Sequence, residues 1–203
     1  MGNSAFIVFE GGEGSGKSTQ AKALSAQLRR VGFNVVLTHE PGCTLLGNKL
    51  RRWLKWGRGV TTQTELFLFL ASRSQLVTKV IRPALDRGEI VICDRFDAST
   101  FAYQGYGRGM NLAFLETINS FVTDGLSPDL VILLDLDVEK GLKRKRMRLD
   151  CFEREEFAFH HRVRDAYLKL AAADPERWLV VDGALPEENV RDIIWARVKQ
   201  LVS

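Results

Sequence analysis

The residues Gly11-Gly12-Glu13-Gly14-Ser15-Gly16-Lys17-Ser18 have the most specific chemistry in the chain, matching G-x-x-x-x-G-K-[ST]. In that spacing, glycine-rich backbone lets successive N–H groups converge on phosphate oxygens. The lysine reaches the β and γ phosphates and the hydroxyl ligates Mg²⁺. The context fits, since the apolar run Ala5–Phe9 precedes the loop and an apolar-periodic segment follows, so a helix N-terminus adds its dipole. Gly11, Gly12, Glu13, Gly14, Ser15, Gly16, Lys17, Ser18 and Thr19 are therefore the candidate ATP-binding residues, with Ser18 a candidate metal ligand. The loop alone does not say what the triphosphate does. Neither an Asn/Thr-Lys-x-Asp guanine-reading segment nor an Asp-x-x-Gly switch is present. Small-molecule phosphoryl transfer needs only positioning, Mg²⁺ and cationic charge, and it fits the length.

A second set of residues could receive the phosphoryl group. Asp94-Arg95-Phe96 follows the apolar run Ile90–Cys93. Asp94 can hold Mg²⁺ directly or through water, and Arg95 can clamp an acceptor phosphate; a strand-end ion pair is the alternative. Asp97, Ser99, Thr100, Tyr103 and Gln104 then supply hydroxyl, amide and phenol groups suited to a nucleobase, though a polar helix cap looks similar. Phe69 and Arg73, four apart on a helical pattern, could stack on a base and bond its edge; alternatively Arg73 packs its stem on the core and keeps its head in water. Lys143-Arg144-Lys145-Arg146-Met147-Arg148 reads as a nucleic-acid patch, a solvated helix end, or a lid delivering arginines to the phosphoryl group. A phosphate loop in the same chain favours the lid.

The elements that must position these groups follow from the pattern. Ala5–Phe9, Val35–Leu37, Ile90–Cys93, Leu130–Leu134 and Trp178–Val181 are continuous apolar runs, the pattern of strands buried on both faces. Helical patterns separate them over 17–31, 44–56, a long segment from a Thr62-x-x-Glu65 capping box toward Gly88 with Pro83 near its end, 111–124, 138–147, 153–173 and 187–202. Alternating strands and helices predict an α/β fold, a five-stranded parallel sheet with helices on both faces. Ligands then bind outside the carboxyl ends of the strands, which here carry Glu10, His39-Glu40-Pro41-Gly42, Asp94-Arg95, Asp135-Leu136-Asp137 and Asp182-Gly183.

Composition narrows the class. The chain has 203 residues, 45% hydrophobic and 27% charged, which suits one globular domain and excludes disordered, collagen-like and coiled-coil classes. Net charge is +4 and the pI near 9.1, so a polyanionic partner is favoured. Cys43, Cys93 and Cys151 form no CxxC pair, which points to a reducing, cytoplasmic setting. No apolar run approaches a membrane span and the N-terminus shows no signal-peptide pattern.

Phe9–Thr19, Glu40-Pro41-Gly42 with Thr44, Phe69-x-x-x-Arg73, Asp94-Arg95-Phe96, Ser99-Thr100, Ala102-Tyr103-Gln104-Gly105 and Gly141-Leu142-Lys143-Arg144 together closely resemble the bacterial type of thymidylate kinase, in order and over nearly the whole chain. The resemblance implies a P-loop NTPase fold in a single domain over 1–203, with a small mobile lid about 142–154. It implies ATP + dTMP → ADP + dTDP with Mg²⁺ in a homodimer, and neither nucleic acid nor membrane as partner. Glu13 would contact the dTMP sugar, and Arg95 and Arg51 the acceptor phosphate. Phe69 would stack on thymine, Arg73 would bond its edge, and Ser99, Thr100, Tyr103 and Gln104 would complete the pocket. Catalysis would fall to Lys17, Arg95, Glu13 and the lid arginines Arg144, Arg146 and Arg148. Ser18 and Asp94 would hold the metal. Three residues depart from the pattern: Cys43 stands where a Gly is usual, His39 where an Arg is usual, and Cys151 where the lid would carry another Arg. A sibling kinase with another nucleoside or monophosphate acceptor is the alternative, and a nucleic-acid-binding ATP switch is a third reading.

Overall fold

The structure, a computed structural model, describes residues 4–56, 59–144, 152 and 155–202. Each of the five apolar runs forms a strand: β1 (Ala5–Glu10), β2 (Val35–His39), β3 (Ile90–Asp94), β4 (Leu130–Asp135) and β5 (Trp178–Asp182). They pair in the order β2-β3-β1-β4-β5, with all four pairings parallel; Phe9 lies opposite Asp94 and Ile132. Nearly every residue of the three inner strands is buried, as a run without alternation requires. The outer strands β2 and β5 are only partly buried, and Val180 is 47% exposed, because an edge strand has one neighbour instead of two.

The strand period of two sorts the core. Ala5, Ile7, Phe9, Ile90, Ile92, Ile132 and Leu134 pack on α1 (Lys17–Arg30) and α9 (Glu187–Val202). Phe6, Val8, Val91 and Cys93 point the other way, onto the layer that holds α3 (Thr62–Leu76) and the turns after it. On that second face, Leu133 meets α8 (Phe157–Ala173), and the rings of Phe6 and Phe96 meet edge to face at 5.0 Å. The chain leaves central β1 toward β2 and β3, then returns past β1 to β4 and β5. The reversal places the switch-point crevice at the carboxyl end of β1, where the phosphate loop lies. Among the described residues, no helix is long and apolar enough to cross a membrane.

Several helix boundaries differ from the sequence pattern for identifiable reasons. The cap of α3 is Thr61, whose side chain accepts from Thr64 N, so the expected box at Thr62 is shifted by one residue. Glu65 turns instead to Gln104 and Arg108. The long helix is interrupted: α3 gives way to a π-turn at Val77–Ile81 and then to α4 (Arg82–Asp86). Pro83 lacks an N–H and its ring would strike the carbonyl four residues back, so a wider turn just before it relieves the clash. Residues 97–107, which fell between the expected helices, are helical: α5 (Asp97–Thr100) continues into a π-helix over Phe101–Gly107. The remaining helices are α2 (Leu45–Trp56), α6 (Leu112–Thr123) and α7 (Val138–Arg144). Helix α8 starts at Phe157, after the extended Glu156, and Glu153 of the expected helix over 153–173 lies outside the described residues. Of the expected lid, residues 145–151, 153 and 154, among them Arg146, Arg148 and Cys151, lie outside the described residues.

Candidate active site

The loop after β1 takes its shape from backbone that side chains would obstruct. Gly14 has φ 67°, and a Cβ there would sit 2.1 Å from Gly141 O on α7. Gly11 has φ 138°, and its Cβ would meet Leu134 O at 2.4 Å. The loop is thus seated between β4 and α7, and Gly16, left-handed at φ 98°, starts α1. Lys17 folds back over this cradle, its Nζ donating to Gly12 O at 2.7 Å, Gly11 O at 3.0 Å and Ser15 Oγ at 3.3 Å. Burial, then the Arg95 charge, lower its ammonium to about 8, against the pull of Glu13, Asp94 and Glu10. The Ser18 hydroxyl donates to Asp94 Oδ2 at the end of β3. These two oxygens, one on α1 and one at the end of β3, would suit a hard cation that takes its other ligands from phosphate and water. Among the described residues, no cluster of three or more His, Cys, Asp or Glu could form an all-protein metal cage.

Arg95 begins the turn after β3 in a left-handed conformation, φ 74°. Its Nη2 pairs with Glu13 Oε1 at 2.7 Å, and Tyr103 O–H donates to that same oxygen at 2.9 Å. Its Nη1 faces Gly11 O and Tyr167 Oη, both at 3.2 Å, and Ser99 Oγ at 3.4 Å. The guanidinium lies over the Tyr103 ring, 5.1 Å from its centroid. Beneath it, the fully buried Glu10 accepts from Phe96 N, Ser99 N, Ser99 Oγ and Tyr167 O–H. Burial pushes the Glu10 carboxyl up, against Arg95 and these hydrogen bonds. Ser99, expected to face the base, is committed to this cluster.

Arg73 is 1% exposed, so it does not reach water as the alternative reading supposed. Its Nε and Nη2 hold Glu40 Oε2 at 2.8 and 2.7 Å. Nη1 donates to Thr100 Oγ1 and Asn119 Oδ1, and Nη2 also to Phe96 O. Four hydrogen bonds and the Nη2–Glu40 ion-pair contact therefore surround the guanidinium, and Thr100 is one of the acceptors. Glu40 Oε1, by contrast, is buried with no partner among the described residues, and burial pushes this carboxyl up to about 7, against the attraction of Arg73. Gln104 Nε2 donates to Glu65 at 2.9 Å, and Arg51 Nη1 to Pro41 O at 2.8 Å. Arg144 Nη1 reaches Gly183 O at 3.1 Å and Gly14 O at 3.5 Å, tying α7 to the phosphate loop. Phe152, with ring centroids 5.8 Å from Phe69 and 6.0 Å from Tyr103, completes an aromatic wall.

Two of the departures meet in space. Cys43 keeps a left-handed backbone at φ 59° despite its Cβ, so the angle expected of Gly is tolerated at a cost of about 1–2 kcal/mol. Its Sγ lies 2.9 Å from His39 Nδ1.

These groups line one cavity of about 700 Å³. It gathers every expected loop residue from Glu13 to Thr19, together with Arg51, Phe69, Arg73, Asp94, Arg95, Ser99, Thr100, Tyr103, Gln104 and Arg144. Gly11 and Gly12 lie behind it, shaping the loop. Pattern reasoning missed Phe152, Glu10 as a hub, and Asn119 and Tyr167, which sit inside ordinary amphipathic helices with no local signal. Glu40 was visible only as part of a motif.

A family model described as thymidylate kinase matches residues 9–194. The thymidylate kinase of Dehalococcoides mccartyi is 51% identical over 202 residues, covering 98% of each chain, and that of Thermomicrobium roseum is 48% identical over 97% of this chain and 95% of its own. The crystal structure of thymidylate kinase from Ehrlichia chaffeensis superposes with a TM-score of 0.79 at 35% identity, covering 98% of this chain and 99% of that one. With the phosphate loop lining this cavity, and this likeness over nearly its whole length, the chain belongs to the thymidylate kinase family.

Proposed function

We propose that this cavity transfers the γ-phosphoryl group of ATP to the 5′-phosphate of dTMP, giving ADP and dTDP, with the following division of labour. The loop from Gly11 to Thr19 cradles the triphosphate through backbone N–H groups, and Lys17 exchanges its loop carbonyls for phosphate oxygens. Arg95 binds the acceptor phosphate through its Nε–Nη2 edge, with Nη1 facing Gly11 O and Tyr167 Oη and Nη2 paired with Glu13. Arg51 approaches from α2. Glu13, held by Arg95 and Tyr103, faces the sugar, while Phe69 stacks on the base with Thr100 and Gln104 at its edge. Arg73, already engaged by Glu40, Thr100, Asn119 and Phe96 O, lines the same pocket. Ser18 and Asp94 are the residues that would hold Mg²⁺, which supplies charge neutralisation across the β and γ phosphates. Arg144, with Arg146 and Arg148 in a lid over 142–154, adds positive charge as the phosphoryl group moves.

The observation that supports this most is the single cavity joining Lys17 and Ser18 to Arg95 and Phe69. Both reactants must meet there for direct transfer. ADP formation measured with dTMP, the other deoxynucleoside monophosphates and thymidine tests the reading. Strong dTMP dependence is expected; indifference to the 5′-phosphate counts against Arg95 as its clamp.

A homodimer through α3 and α6 fits the exposed Phe67, Phe114 and Phe121, which are 55%, 50% and 83% exposed. A cytoplasmic setting fits Cys43 and Cys93, which are free thiols among the described residues. No nucleic-acid role is proposed for the basic run, since Arg144 is bonded to the phosphate loop and lines the cavity.

A further inference from the structure

Tyr167 lies outside the cavity lining, in the middle of α8, and is 1% exposed among Val163, Ala166 and Ala171. A phenol buried this deeply in an apolar layer needs a polar partner for its O–H. It has three: Glu10 Oε2 at 2.8 Å, Ser99 Oγ at 2.9 Å and Arg95 Nη1 at 3.2 Å. With its proton donated to Glu10, the oxygen lone pairs are left for Arg95. Glu10 in turn collects the backbone N–H groups of Phe96 and Ser99, so the turn carrying Arg95 is bonded to the same carboxylate that orients the phenol.

The guanidinium has three faces to fix. Tyr103 covers one side of its plane, Glu13 takes one Nη2 proton, and Nη1 would otherwise meet only Gly11 O and the longer Ser99 contact. We propose that Tyr167 is a positioning residue for Arg95: it ties up the Nη1 edge so that the Nε–Nη2 edge stays turned to the acceptor phosphate. The inference rests on Arg95 binding the acceptor phosphate.

Tyr167→Phe deletes only the hydroxyl. Losing a hydrogen bond that orients a charged donor is expected to weaken dTMP binding about tenfold. Thymidine, which lacks the phosphate, should bind within about twofold of wild type, with KM for ATP unchanged. A purely structural role would instead lower the melting temperature and weaken both ligands alike. Calorimetric titration of dTMP and of thymidine, with kcat and both KM values, reads this. Equal weakening of the two ligands, or of neither, overturns the proposal. Glu10→Gln, which removes the charge that orients the phenol, should show the same phosphate-selective loss, and failure of both variants to fold overturns the positioning role by making the cluster a folding element. Arg95→Lys separates the two claims. If it spares dTMP binding, the reading of Arg95 fails; if it shows the phosphate-selective loss and Tyr167→Phe does not, only the role of Tyr167 fails.

Discussion

Replacing Arg73 by Met keeps much of the side-chain volume while removing a guanidinium that five acceptor contacts surround. The Arg73 and Glu40 side chains are 1% and 3% exposed, so the carboxylate left behind cannot be rescued by water. Removing one partner of a buried pair typically costs about 3–5 kcal/mol. Thr100 Oγ1, Asn119 Oδ1 and Phe96 O lose a donor at the same time, which places the expected loss at the upper end of that range. For a chain of this size, where about 1 kcal/mol moves the melting temperature by roughly 2–4 °C, the drop should be roughly 10–20 °C. Thermal melting followed by circular dichroism measures the drop, and guanidinium chloride unfolding the free-energy loss. Adding Glu40→Gln removes the cost of protonating the unpaired carboxyl and should recover about 2 kcal/mol, so the double variant is more stable than Arg73→Met alone. A single variant that loses less than about 1 kcal/mol, or a double variant no better than the single, refutes the view that this pair is a buried, mutually dependent unit.

Three further outcomes follow from the site. Lys17→Ala should abolish phosphoryl transfer and leave the melt intact, while in the wild type kcat/KM for ATP should fall about tenfold per pH unit above about 8, because the lowered Lys17 loses its charge there. The unfolded chain keeps that proton up to its ordinary value near 10.5, so this residue's contribution to stability rises with pH between about 8 and 10.5; a flat kcat/KM profile from pH 7 to 9.5 contradicts the assignment. At Cys43 burial pushes the thiol up, but the hydrogen bonds with His39 and Thr38 and the His39 charge together outweigh it, whereas burial holds Cys93 well above the ordinary thiol; peptide mass spectrometry after brief iodoacetamide treatment should find Cys43 alkylated first, and the reverse order would be inconsistent with the pair. Ser18→Ala should shift the Mg²⁺ dependence of turnover to higher concentration without lowering stability by more than about 1 kcal/mol, and an unmoved Mg²⁺ curve would count against Ser18 as a ligand.

The parallel sheet was legible because strands buried on both faces read as unbroken apolar runs, and five such runs separated by helical periods leave few alternatives. The phosphate loop was legible because its glycines and lysine do chemistry through spacing alone. Harder to read was anything decided by a partner far along the chain. Arg73 looked like either a ligand residue or a surface-reaching side chain, and only Glu40, Thr100 and Asn119, brought together from three other elements, make it a buried ion-pair centre. The stretch after Phe96 showed polar groups without a clear period, because a π-helix moves its side chains off the ordinary helical stripe. Pro83 was visible as a helix breaker, but the widened turn before it was not. Cys43 shows the limit in another form: the loop demanded a left-handed angle, and the sequence places a side chain there all the same.

Direct transfer between two bound nucleotides is the central claim, and the fate of the γ-phosphorus tests it. With ATP labelled at that position, Mg²⁺ and dTMP, the label should appear in the β-phosphate of dTDP in proportion to the ADP formed, and Arg95→Ala should suppress it. Label released as inorganic phosphate, or ADP formed at the same rate without dTMP, would contradict the account.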